Sequence, residues 1–71
     1  MNFYDAQKIF IETARKEGFD ITEFCTWLKQ HWDDYVAMSI QTEEQLHDWL
    51  KVKVIAFKGY VKAKKSLRKE E

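Results

Sequence analysis

Apolar residues recur at helical spacing in three stretches of the chain. Phe3, Ala6, Phe10 and Ala14 are three, four and four residues apart, with Ile9 and Thr13 beside them. Positions so spaced fall on one face of a helix, which predicts a first helix from about Phe3 to Glu17. Asn2 precedes it as an N-cap. Asp5 in the first turn and Arg15 and Lys16 in the last match the helix dipole. Gly18 then supplies the left-handed conformation in which helices commonly end.

Ile21, Phe24, Cys25, Leu28, Trp32, Tyr35 and Val36 form a second stripe, which predicts a helix from Ile21 to about Ala37 or Met38. Asp20 stands as its N-cap, and Glu23 completes a capping-box pattern. Phe19 and Phe24 occupy the paired positions of a hydrophobic staple. A junction this short makes the first two helices packing neighbours.

Thr42 and Gln45 repeat the capping box, with Glu43 and Glu44 in the first turn. Leu46, Leu50, Val54, Phe57 and Val61 follow as a third stripe. A helix running on to Lys69 would be about 40 Å long, and its last turns would project beyond a small body. Gly59 is the expected place for a kink, a fray or an end, since glycine weakens a helix interior. The competing reading is a hairpin over residues 51–61 that turns at Lys58-Gly59, because Lys51-Val52-Lys53-Val54 alternates and its valines favour strands. No third strand candidate exists and a lone hairpin is marginal, so helix is preferred. The predicted fold is all-α: a three-helix core domain over residues 1–58 and a basic C-terminal helical extension or tail over residues 59–71.

Composition adds two constraints. With 71 residues the chain holds a single domain whose own core is small. Cys25 is the only cysteine, which excludes an intrachain disulfide. The 45% of hydrophobic residues, with three Trp, five Phe and three Tyr, argues against disorder and supplies material for packing. The lone thiol, the lack of a signal-peptide pattern at the first residues and the lack of a long apolar run predict a cytoplasmic protein.

Charge changes the picture more. The net charge is zero, but it is split along the chain. Residues 1–50 carry Lys8, Arg15, Lys16 and Lys29 against ten acids, while residues 51–71 carry seven lysines and Arg68 against Glu70 and Glu71. The acidic body and the basic arm therefore hold opposite net charges of six. Such a split bears on partners rather than on fold.

The candidate chemistry is sparse. Cys25 lies on an apolar stripe with no histidine three or four residues away, as expected of an inert core thiol. His31 and His47 belong to no ligand spacing of the HExxH or paired CxxC kind. No catalytic, cofactor-binding or metal-binding residue is therefore assigned, and no small-molecule substrate is evident. Lys58, Lys62, Lys65 and Lys69 are spaced four, three and four apart and form a basic ridge, joined by Arg68 and accompanied by Tyr60. Such a ridge suits a phosphate backbone, an acidic protein surface, or simply solvent and the helix dipole. Trp27 and Met38 are apolar residues off the stripes, and Asp33-Asp34 is an acidic pair without an evident local role. These four are candidates for a protein interface. The expectation is a non-enzymatic interaction protein that binds another macromolecule, or itself as a dimer, through helix faces and the charge-split surface. The alternative is a helical module that binds nucleic acid through the basic ridge without strong sequence preference.

Overall fold

The computed structural model describes the backbone of residues 1–70 and the side chains of residues 1–65. Among the described residues the chain is all-α, with four helices and no strand: α1 (Phe3–Glu17), α2 (Ile21–Gln30), α3 (Asp34–Ser39) and α4 (Glu43–Glu70). The helix predicted from Ile21 to Ala37 or Met38 is two helices, so the three-helix expectation is corrected to four. His31 ends α2, and Asp33 takes up an extended backbone to cap α3, its carboxylate accepting from Val36 N–H at 2.8 Å. A short acceptor that satisfies a free N–H offers the chain a helix start in place of helix continuation. Tyr35, placed by sequence on a buried stripe, is consequently 78% exposed.

The remaining boundaries follow their local chemistry. Asn2 caps α1 through Asp5 N–H at 2.8 Å. At the other end Gly18 has φ +75°, and the N–H groups of Gly18 and Phe19 donate to Arg15 and Ala14 carbonyls. That pair of bonds is the Schellman closure, which needs a residue at ease with positive φ. The Phe19–Phe24 staple is present with ring centroids 5.0 Å apart. The box at Thr42 and Gln45 is reciprocal, Gln45 N–H donating to Thr42 Oγ1 and Thr42 N–H to Gln45 Oε1. Residues 51–61 are helical, which removes the hairpin alternative, and α4 continues through Gly59, which does not end it.

Three helices share one core. Phe10 faces Trp49 and Glu17 faces Lys58, so α1 and α4 run side by side in the same direction. Trp27 faces Phe57 and Glu23 faces Lys64, so α2 runs the opposite way. Ala6, Phe10 and Ala14 from α1 meet Phe24, Cys25 and Leu28 from α2 and Leu46, Leu50 and Phe57 from α4, with Ile40 closing one end. Aromatic rings concentrate the packing at both ends of this core. Phe3, Phe10, Trp32 and Trp49 gather at one, and Phe19, Phe24, Trp27, Phe57 and Tyr60 at the other. Edge and tilted contacts of this kind add to simple burial. The Met1 amino group donates to the carbonyls of Ala37 at 2.8 Å and Ile40 at 2.7 Å, which places a cation at the C-terminus of α3 and ties it to the start of α1.

Candidate interaction surface

Because α1 and α4 run parallel, their facing side chains leave an open groove of about 650 Å³ between them. Ile9 and Thr13 from α1, and Leu50, Val54 and Ile55 from α4, supply its apolar part. Glu12, Lys16 and Glu17 edge it on one side, and His47, Lys51 and Lys58 on the other. Lys58 Nζ lies 3.7 Å from Glu17 Oε1, bridging the groove at the C-terminal end of α1.

Beyond the groove, α4 turns an apolar face to solvent. Val52 is 63% and Ile55 73% exposed, and Ala56, Gly59 and Ala63 are exposed as well. At 100° per residue these five share one side of α4, opposite Leu50, Phe57 and Val61, which face the body. Among the described residues nothing lies within 4 Å of where a Cβ on Gly59 would sit. Val52 and Ile55 are absent from the sequence-based candidates. The signal for them is present, however, in the three- and four-residue spacing of Val52, Ile55 and Gly59 on the face away from the main stripe.

The basic ridge is only partly assembled. Lys58, Lys62 and Lys65 are exposed on one side of α4 and line a second, shallower groove beside Glu17, Gly18 and Phe19. Tyr60 points to the opposite flank, where its ring lies against Phe57 and Trp27 and carries Lys64 Nζ over it at 5.4 Å. The aromatic and the ridge lysines thus do not share a surface. The side chains of Arg68 and Lys69 lie outside the described residues.

The other candidates are dispersed. Trp27 is half-buried against Phe57 at 5.3 Å and makes a tilted ring contact with the exposed His31 at 4.4 Å. Met38 is 75% exposed on α3. Asp33 has a local role as the α3 cap, and Asp34 sits in the first turn of that helix, where a negative charge suits the dipole. Trp27 therefore packs with the second half of α4, while the other three belong to α3 and its start.

Cys25 is buried between α2 and its neighbours, and that burial pushes its thiol above the ordinary value of 9.0. A raised thiol is a poor nucleophile at neutral pH. Among the described residues, no three His, Cys, Asp or Glu side chains are grouped so as to hold a metal ion, and no helix is long and apolar enough to cross a membrane. No protein-family model, curated protein or solved structure matches the chain, so the surface is interpreted from its own residues.

Proposed function

We propose that this chain is a non-enzymatic interaction module whose docking surface is the groove between α1 and α4 together with the adjoining outer face of α4. The observation that carries this reading is the exposure of Val52 and Ile55 beside that groove. A small protein that leaves two β-branched apolar side chains in water on one helix face, edged by charges of both signs, has the layout of a helix-docking site. Apolar positions supply area, and the charged edges supply register and partner choice. The single buried thiol fits a reducing compartment, and this reading assigns the protein to the cytoplasm.

The test is a photo-reactive side chain placed at position 52 or 55, and for comparison at exposed Tyr4, in cells that produce the protein. Covalent adducts that form from positions 52 and 55 but not from position 4 are expected. Equal labelling from all three positions, or none, would overturn the reading.

A second reading rests on the convergence of Lys58, Lys62 and Lys65 on one shallow groove: a phosphate-backbone contact without sequence preference. Fluorescence anisotropy of labelled single- and double-stranded DNA and RNA would report it as binding that weakens steeply with salt and is lost on truncation after Lys58. Absence of binding at low salt would retire it.

A further inference from the structure

The outer face of α4 carries a pattern that complements itself when reversed. Its central line is Asp48, Val52, Ile55, Gly59 and Lys62, spaced four, three, four and three, which is the seam spacing of a two-helix pairing. All five residues are exposed. Lay the line against a second copy of itself in the antiparallel sense, with Ile55 opposite Ile55. Asp48 then falls opposite Lys62, and Val52 opposite Lys58, one position from Gly59. Glu44, on one flank, falls one position from Lys65.

We propose that the partner of this face is a second copy of this chain, paired through α4 antiparallel to α4. The inference rests on the docking surface assigned above and names its occupant. Three features of the face point to it. Acidic residues stand at one end of the face and basic residues at the other, so antiparallel pairing places unlike charges together, whereas parallel pairing sets Asp48 on Asp48 and Lys62 on Lys62. The most exposed large apolar side chains among the described residues of α4, Val52 and Ile55, fall at the centre. Gly59 sits in a helix interior with open space above it, and nothing within the described protein fills that space; the partner's Val52, one position away in the pair, lies beside it. Isologous contacts of this kind close on themselves and stop at two copies. Lys58 falls opposite Val52 and one position from the partner's Lys51, and Glu17 beside Lys58 offsets that like-charge approach.

Sedimentation equilibrium of the full chain, from micromolar to millimolar concentration and at low and high salt, reads the pairing. The expected result is a mass that rises to twice the chain mass with concentration, at a midpoint that moves to higher concentration in high salt. Ile55→Asp is expected to raise the dissociation constant by about tenfold or more, since it places charge in the apolar centre. Asp48→Lys and Lys62→Asp are each expected to weaken pairing, and the double exchange to restore it. Gly59→Leu is expected to block pairing while leaving helical circular dichroism unchanged or raised. A mass that stays monomeric at every concentration, or a double exchange that does not recover pairing, would overturn the inference. If the chain stays monomeric while positions 52 and 55 still cross-link to another protein, the docking surface stands and only its occupant is wrong. Monomer mass together with no cross-linking removes both.

Discussion

Lys64 Nζ lies 3.1 Å from Glu23 Oε1 and joins the basic arm to the acidic body within one molecule. The pair links the first turn of α2 to the part of α4 that follows Gly59, and the same ammonium lies over the Tyr60 ring. Part of the opposition between the two halves of the chain is thus answered internally. What remains for a partner is the exposed charge of Lys62 and Lys65 and of the acids at the start of α4. Both members of the pair are more than a third exposed, so screening by water and salt keeps its worth small. Glu23→Gln is expected to lower stability by less than about 1 kcal/mol, with the difference shrinking at high salt, as followed by urea denaturation at two ionic strengths.

Phe57 of α4 is the ring on which α2 and the α1–α2 junction converge, with Phe24 at 4.9 Å, Phe19 at 4.8 Å and Trp27 at 5.3 Å. Phe57→Ala is expected to cost about 3–5 kcal/mol, from lost burial and the void left behind. Because the net stability of a domain is only about 5–15 kcal/mol and this one is small, the variant is expected to lose most of its cooperative thermal transition, measured by circular dichroism.

The two glycines should respond oppositely to the same substitution. An added Cβ has open space at both, so conformation alone decides. Gly18 has φ +75°, which L-residues occupy at a cost of about 1–2 kcal/mol; Gly18→Ala is expected to destabilise by that amount. Gly59 lies within α4, where alanine is favoured over glycine by about 1 kcal/mol. Gly59→Ala is expected to stabilise the chain when melting is measured at concentrations below any self-association.

Removing the α3 cap should act locally. Asp33→Ala deletes the acceptor for Val36 N–H and is expected to cost about 1 kcal/mol. Amide hydrogen exchange should quicken at Val36 in particular, with the core amides of α2 and α4 changing only in line with global stability.

The Cys25 thiol gives a pH dependence with a definite sign. Burial raises its folded value above 9.0, so the folded state keeps a proton that the unfolded state releases. Stability is therefore expected to be unaffected by this group below about pH 8 and to fall as pH rises through 9.0 toward the folded value. Comparison with Cys25→Ser isolates the contribution: the serine variant should show a shallower alkaline decline.

Much of this architecture was legible in residue order because its causes are local. Asn2, Gly18, Asp20, Thr42 and Gln45 act on backbone groups within a few residues of themselves, and they placed the ends of α1, the start of α2 and the start of α4. The apolar stripes gave the buried faces for the same reason, since helical periodicity depends only on spacing. Asp33 is of a capping residue type, but the unbroken stripe from Leu28 through Trp32 to Val36 predicts a helix running straight through it. Tertiary contact decided otherwise: Trp32 packs among Phe3, Phe10 and Trp49, and the chain turns there. Capping and periodicity were thus determined by the sequence alone. Only the packed structure decided which residues off the stripes stay in water, because that depends on where a distant helix lies. α1 and α2 cover one side of α4 and leave Val52 and Ile55 on the other, while Tyr60 lies against Trp27 and Phe57.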